Sequence, residues 1–344
     1  TTGFRLADGS PATVFSSANR KTVLRHFRWM REYGIDGAFV QRFATGLNRD
    51  DVLRHRNTVL SHAREGAEQS GRAFVVMYDL SGMRRGSTDR VREDWARLNA
   101  DQEITKSSSY LHHDGKPLVA VWGIGFNDRH DGNSYSLEDC RQLIRDLKGA
   151  GCSVMLGVPT GFRKLERDSY RSDQLHDILR LADVLSPWTP GRYRSPDEAA
   201  RHAERFWKPD LDWCRDEGMQ YLPVVFPGFS WHNLQKKSTP LGQIPRLKGQ
   251  FLWSQIVAAK KAGAKMIYVA MFDEVDEGTA IFKCTNDPPF GKGVAFLTYE
   301  GLPSDHYLKI TGLAGKLLRG EVEADAIPDI TRFVDSVSTA SPDR

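Results

Sequence analysis

Residues 73–79 read Ala-Phe-Val-Val-Met-Tyr-Asp, an apolar run that ends on a carboxylate. A run that is apolar at every position, rather than at alternate positions, is typical of a strand covered on both faces, as in parallel sheets. Similar runs recur along the chain, separated by segments with the periodicity of amphipathic helices. We expect eight strands, at residues 35–41, 73–79, 117–122, 152–158, 184–188, 221–226, 266–272 and 294–297.

Helices are expected between these strands. Ser136 with Asp139 three residues later predicts a capping box, and Ser195 followed by Pro196 predicts another helix start. Eight strand–helix units favour a closed (β/α)8 TIM barrel, of α/β class, over an open doubly wound sheet. No G-x-G-x-x-G follows the first strand and no G-x-x-x-x-G-K-[ST] occurs, which argues against nucleotide binding. We predict one barrel domain over residues 1–344.

Composition excludes several functional classes. The 48 Lys and Arg residues are interspersed with 44 Asp and Glu, which argues against a nucleic-acid-binding stripe. No apolar run approaches the roughly 18 residues of a membrane span. The four cysteines show no zinc spacing, so we expect buried free thiols. The chain starts at Thr1, which fits a removed signal peptide or a shortened chain. We expect a monomer without cofactor or metal, located in the periplasm, on the cell surface or in the medium.

The ends of the predicted strands carry aromatic and polar side chains. In barrels of this kind the chemistry lies at the carboxyl ends of the strands. Aromatic faces suit sugar rings, whereas Asp, Asn, His and Arg suit hydroxyl groups; each aromatic residue taken alone could equally cap the barrel core. The residues predicted to bind substrate are Gln41, Arg42, Tyr78, Asp79, Trp122, Asn127, Trp188, Trp231, His232 and Asp273.

The most distinctive segment is residues 273–279, Asp-Glu-Val-Asp-Glu-Gly-Thr, directly after the seventh predicted strand. Four carboxylates within five residues repel one another, and crowding raises the pKa of at least one of them. Paired carboxylates that act as acid and base are what glycosidic-bond cleavage requires. A solvated acidic loop is the simpler alternative. A calcium loop is another, although the segment lacks the D-x-[DN]-x-[DN]-G pattern.

The same segment resembles a known family. Residues 272–279 are similar to the E-x-x-E-G-T segment of glycoside hydrolase families 71 and 99, and residues 226–229, Phe-Pro-Gly-Phe, are similar to a Pro-Gly-aromatic turn of family 99. A subgroup of family 71/99-like proteins of xylosidase/arabinosidase type resembles this chain over most of its length. The resemblance implies a (β/α)8 barrel that cleaves an oligosaccharide or polysaccharide.

The resemblance also implies roles for two glutamates. By position, Glu277 is the general acid/base, and Glu274 acts on the 2-hydroxyl of the substrate in a retaining reaction that passes through a 1,2-anhydro sugar. This chain has Val275 and Asp276 where family 99 has Trp-His. An ordinary double displacement with Glu274 as nucleophile therefore stays open, as do an inactive sugar-binding barrel and a metal-dependent hydrolase.

Overall fold

The computed structural model describes residues 2–129, 133–235, 239–324 and 329–331. The predicted domain of residues 1–344 includes residues 332–344, which lie outside these ranges. Within the described ranges, the strands are β1 Gly37–Phe43, β2 Ala73–Asp79, β3 His112–His113, β4 Lys116–Trp122, β5 Ser153–Val158, β6 Val184–Pro187, β7 Gln220–Tyr221, β8 Val224–Val225 and β9 Tyr268–Val269.

Helices alternate with the strands, as the periodicity predicts. They are α1 Arg20–Glu32, α2 Asp50–Ser70, α3 Asp89–Gln102, α4 Leu137–Gly149, α5 Asp173–Leu179, α6 Pro196–His202, α7 Lys208–Asp216, α8 His232–Gln235, α9 Gln250–Ala262 and α10 His306–Arg319. Ser136 and Asp139 form the expected capping box at the start of α4. A π-helical turn, Ala203–Trp207, joins α6 to α7. None of the described helices combines the length and apolar character needed to cross a membrane.

Parallel pairing follows the strand order β1-β2-β4-β5-β6-β7, and β8 pairs with β9. Alternate strand residues pack into two separate apolar layers. One layer fills the barrel and includes Val75, Met77 and Leu222. The other lies between the strands and the helices and includes Phe74 and Val76. Because both faces of each strand are covered, the strands read as continuous apolar runs.

The predicted sixth strand, residues 221–226, is split into β7 and β8. Pro223 lies between the two halves, and proline has no N–H to donate to a ladder. The first half pairs with β6, through Leu185 and Tyr221, and the second half pairs with β9. The split strand therefore still connects its two neighbours in the barrel.

The predicted eighth strand at residues 294–297 is wrong. In the described residues this segment makes one isolated bridge, from Val294 to Gly291. No ladder joins β9 to β1 in the part of the chain that the structure describes. A cavity of about 530 Å³, which we call the seam cavity, occupies that position. The fold class itself is confirmed, because parallel strands in barrel order with outer helices form a (β/α)8 TIM barrel.

The four cysteines are free. Cys140, Cys152 and Cys214 are buried, as predicted, and burial raises the pKa of the Cys140 thiol to about 12. Cys284 is half-buried.

Candidate active site

The acidic segment forms a closed turn after β9, at the end of the barrel where the carboxyl ends of the strands lie. We call residues 273–277 the acidic turn and this end of the barrel the mouth. The main-chain oxygen of Glu274 accepts a hydrogen bond from the Thr279 N–H at 3.1 Å. The Glu274 carboxylate accepts the N–H of Asp276 at 2.8 Å. Gly278, at φ +68°, reverses the chain in the left-handed region that glycine favours.

Arg246 supports the acidic turn from the loop before α9. Its Nη2 donates to the main-chain oxygens of Gly278 at 2.8 Å and Ala280 at 2.9 Å. The guanidinium is buried and lies 4.9 Å and 4.5 Å from the ring centres of Tyr299 and Tyr307. This contact holds the backbone that follows Glu277. Sequence reasoning missed it because the partners are more than thirty residues apart.

The segment of residues 226–235 packs against the acidic turn and brings Trp231 and His232 beside it. The N–H of Ser230 donates to the main-chain oxygen of Glu277 at 2.8 Å. The side chain of Asn233 donates to the main-chain oxygen of Asp276 at 3.0 Å. The half-buried Trp231 ring lies on Phe229, at 4.6 Å between ring centres, and His232 Nδ1 lies 2.6 Å from the Thr239 oxygen.

Two carboxyl groups of the acidic turn have raised pKa values. Burial, with the negative charges of Glu274 and Asp276, raises the pKa of Glu277 to about 7. Burial, with the charge of Glu274, raises the pKa of Asp273 to about 6. The Asp273 side chain is 39% exposed. It lines the seam cavity, so the surrounding protein still limits its contact with water, which is consistent with its raised pKa. The turn therefore retains protons close to neutral pH, as the crowding of its charges predicts.

A histidine that sequence reasoning missed lies beside Asp273. Nδ1 of His26, on α1, is 4.0 Å from Asp273 Oδ2. The imidazole is buried between Phe272 and Phe282, each 5.3 Å away. Burial, with the charge of Arg25, lowers the pKa of His26 to about 4. A neutral imidazole does not stabilise the Asp273 anion, which is consistent with the raised pKa of that carboxyl.

Gln41 and Asp79 form a polar pair at the mouth, on β1 and β2. Gln41 Nε2 donates to Asp79 Oδ2 at 2.6 Å, and the Ser81 N–H donates to Asp79 Oδ1 at 2.7 Å. Asp79 is buried, with 4% exposure. Burial is the main reason that the pKa of Tyr268 is raised, and the negative charges of Asp79 and Asp273 raise it further. Tyr268 therefore lies between this pair and the acidic turn.

A row of aromatic rings crosses the top of the barrel. Successive ring centres along the row Phe126, Trp122, Trp188, Tyr268 and Phe39 are 5.0, 5.7, 6.4 and 5.1 Å apart. Trp122 and Trp188 are half-buried, so each ring packs on the core and keeps some free surface. Three members of the row, Phe39, Phe126 and Tyr268, are not among the predicted substrate-binding residues; Phe39 and Tyr268 lie inside strands rather than at strand ends.

Asn127 lies on a neighbouring loop of the mouth. It is exposed, and its side chain donates to the main-chain oxygen of Arg167 at 2.7 Å. This hydrogen bond joins the loop after β4 to the loop after β5.

Two predicted substrate-binding residues, Arg42 and Tyr78, do not reach the mouth. Both point outward into the helix layer, with 3% and 0% exposure. Arg42 forms two hydrogen bonds of 2.7 Å with Asp94 of α3, and the Tyr78 hydroxyl donates to the same carboxylate at 2.7 Å. For these two residues the prediction is wrong. Each follows or precedes an inward-facing residue, Gln41 or Asp79, and successive side chains of a strand point to opposite faces of the sheet.

Across residues 2–129, 133–235, 239–324 and 329–331, the structure contains no group of three or more His, Cys, Asp or Glu side chains arranged to hold a metal ion.

Comparison by sequence finds no relative. No family model matches the chain, and no curated protein matches it.

Comparison with solved structures finds several barrels. A family 99 endo-α-mannosidase from Bacteroides thetaiotaomicron, in complex with bis-tris-propane, has a TM-score of 0.65 at 16% identity, over 93% of this chain and 88% of that one. A glycoside hydrolase-like protein has a TM-score of 0.61 at 14% identity, over 91% and 89%. An endo-β-1,4-mannanase from Thermotoga petrophila has a TM-score of 0.50 at 12% identity, over 94% and 78%. At such identities a shared fold is established and shared chemistry is not. This chain has the barrel fold found in glycoside hydrolase family 99.

Proposed function

We propose that this protein is a glycoside hydrolase that cleaves an oligosaccharide or polysaccharide, with Glu277 as general acid/base. The observation that carries the proposal is the position of Glu277 in the acidic turn at the mouth of the barrel, where Ser230 holds its main chain and where burial and neighbouring charge raise its pKa to about 7. A general acid is most effective when its pKa lies near the operating pH. Glycosidases need such a protonated carboxyl to deliver a proton to the leaving oxygen.

The second carboxylate in this proposal is Glu274. Its charge contributes to the raised pKa of Glu277, so the two groups interact electrostatically. One oxygen of its carboxylate, Oε1, accepts the Asp276 N–H at 2.8 Å. In a retaining reaction Glu274 either assists attack by the substrate's 2-hydroxyl or attacks the sugar carbon itself. Each route uses one carboxyl to protonate the leaving group and one to promote attack, and neither needs a cofactor.

Substrate binding is assigned to the aromatic and polar side chains of the mouth. Trp122 and Trp188 offer ring surface in the aromatic row, and Trp231 lies in the loop that packs on Glu277. The polar residues assigned to sugar hydroxyls are Gln41, Asp79, Asn127, His232 and Asp273. Because polymeric glycans do not cross membranes, the proposal includes action outside the cytoplasm.

The fold supports the proposal of glycosidic-bond cleavage but does not identify the sugar. Solved barrels with this fold include an endo-α-mannosidase and an endo-β-1,4-mannanase. A sugar-binding barrel without turnover is the second candidate. The hydrogen bond that ties the Glu274 carboxylate into its own turn favours that alternative.

The test is the rate of Glu277→Gln on a panel of aryl glycosides and polysaccharides. Loss of a general acid typically costs about 10²–10⁴ in rate, so we expect turnover to fall at least about 100-fold with the fold retained. Glu204→Gln is the matched control, because it makes the same chemical change at a position that is 74% exposed and outside the acidic turn; we expect it to retain wild-type turnover. Unchanged turnover in folded Glu277→Gln contradicts the assignment. Glycan binding without any turnover by the wild type supports the second candidate.

A further inference from the structure

A second cavity, of about 350 Å³, adjoins the acidic turn. Its lining includes residues of α1, residues of the segment 280–289 and two residues next to the catalytic candidates, Val275 and Gly278. We call it the basic cavity. Its volume falls within the range of about 300–1,000 Å³ typical of small-molecule sites.

The described lining of the basic cavity includes three cations, Arg25, Arg246 and Lys283, and no Asp or Glu. Within the part of the chain that the structure describes, Arg25 and Lys283 form no ion pair. Asp305, whose carboxyl Lys283 influences, is paired with Lys309 at 3.1 Å. The positive charges of Arg25 and Lys283 are therefore not paired directly with any carboxylate of the described residues.

Arg246 and His26, the other basic groups of the lining, bring no negative charge to the cavity. Arg246 is buried, and its Nε and Nη1 have no hydrogen-bond partner among the described residues. His26 also lines the cavity, and burial lowers its pKa to about 4, so it is neutral at neutral pH. Concave, partly buried positive charge attracts anions more strongly than the same charge on an open surface.

Aromatic rings lie beside these cations. Trp29, Phe15 and Phe282 line the basic cavity. Lys283 Nζ lies 5.5 Å from the centre of the Trp29 ring. A flat apolar surface next to cationic hydrogen-bond donors suits a ligand with one apolar face and one anionic group. A pyranose ring with a carboxylate or sulfate has this character.

We propose that the basic cavity binds the anionic group of an acidic sugar unit, a uronate carboxylate or a sulfate ester, in the glycan whose glycosidic bond meets the acidic turn. This inference rests on the proposed function. The acidic turn repels anions, so a charged glycan is accommodated only if its charge lies elsewhere. Val275 and Gly278 line the basic cavity while flanking Glu277 in the chain, which makes the two sites contiguous.

The test is calorimetric binding of matched acidic and neutral oligosaccharides to the whole chain. The uronate arm compares trigalacturonate with its methyl ester, and the sulfate arm compares a sulfated carrageenan tetrasaccharide, which has no carboxylate, with its desulfated form. We expect at least one acidic member to bind 10-fold or more tightly than its neutral match. We also expect this preference to weaken as salt rises. Equal affinities in both arms, or no binding of either acidic ligand, overturn the proposal.

Variants locate the effect in the cavity. We expect Arg25→Gln with Lys283→Gln to lose at least 10-fold in acidic affinity and nothing in neutral affinity. Arg25→Gln alone, at an exposed position, preserves the test if the double variant does not fold. The matched control is Arg28→Gln, because Arg28 is exposed on the same helix, pairs with Glu32 at 3.7 Å and does not line the cavity. Full acidic affinity in a folded Arg25→Gln protein, or an equal loss in Arg28→Gln, overturns the proposal.

The same ligands separate this inference from the proposed function. Tight acidic binding to both wild type and Glu277→Gln, without cleavage by either, supports the cavity and contradicts the hydrolase. Cleavage of neutral glycans without any acidic preference supports the hydrolase and contradicts the cavity.

Discussion

The first strands of the barrel and its closing segment differ in how they are held. Between β1 and β2, seven residue pairs are in register, and five pairs join β4 to β5. Between β8 and β9 there are two. Yet the closing segment carries the acidic turn, where burial and like charges raise the pKa values of Asp273 and Glu277. The long ladders supply the frame, and the unfavourable charges follow one of the short, two-pair ladders, as expected when a site trades stability for chemistry.

The largest effect is expected where the frame buries an ion pair. Asp94, with 1% exposure, accepts hydrogen bonds from Arg42 and Tyr78 at 2.7 Å each. Asp94→Ala leaves the Arg42 guanidinium buried without a counter-charge, which should lower the free energy of unfolding by about 3–5 kcal/mol in urea denaturation. The control is Asp89→Ala, because Asp89 is 66% exposed on the same helix. Equal losses of unfolding free energy in the two variants would show that the buried ion pair stabilises the fold no more than an exposed carboxylate does, which contradicts the prediction.

The second effect concerns the aromatic side chain beside the acidic turn. If Trp231 contacts sugar, Trp231→Ala should weaken glycan binding by about 1–3 kcal/mol, the cost of losing a large apolar contact. The matched control is Trp207→Ala, because Trp207 is fully buried in the main core. Its loss should appear in the free energy of unfolding, at about 3–5 kcal/mol. A Trp231→Ala protein that loses stability and keeps its affinity would place Trp231 in the frame.

A smaller effect is expected in the pH dependence of stability. Folding raises the pKa of Glu277 from 4.5 to about 7. The folded protein therefore holds this proton more tightly, and wild type loses the associated stability as pH rises from 4.5 through 7. Glutamine carries no charge, so Glu277→Gln avoids this loss. After allowance for partial exposure, we expect the variant to be about 1 kcal/mol more stable than wild type at pH 8.

At pH 4 the difference should vanish, because Glu277 is then protonated in both the folded and the unfolded chain. Urea denaturation at both pH values measures the change. Glu204→Gln is the control at a position 74% exposed, and its effect should not depend on pH. If Glu277→Gln changed the free energy of unfolding equally at both pH values, folding would not raise the pKa of Glu277.

Most element positions were predictable, because apolar runs and helix caps are local signals. The prediction for residues 294–297 failed because an apolar segment can also pack outside a sheet. Here Phe296 lies 5.6 Å from Phe4, and a Cβ on Gly278 would approach Leu297 to 2.4 Å. Partial burial against these neighbours accounts for the apolar residues of this segment without any ladder.

The site was predictable only in part. The acidic turn stands out because its carboxylates are adjacent in the chain. Which face of the strand Arg42 and Tyr78 occupy was not predictable. A strand that is buried on both faces lacks the alternation of polar and apolar residues that distinguishes the inner face from the outer one. His26 and Arg246 reach the turn from α1 and from the loop before α9, and contacts at such separations leave no local pattern.

The central claim is that Glu277 holds a proton near neutral pH because burial in the turn disfavours its charged form and the negative charges of Glu274 and Asp276 disfavour it further. The most direct measurement is a carbon-13 NMR titration of glutamate carboxyl groups, with Glu277 assigned from its absence in Glu277→Gln. The account predicts a midpoint near pH 7 in wild type. It also predicts a lower midpoint in Glu274→Gln, because removing a neighbouring negative charge makes the proton easier to lose. The alkaline limb of kcat/KM should move the same way. A midpoint near the ordinary value of 4.5, or one that stays or rises in Glu274→Gln, would contradict the account.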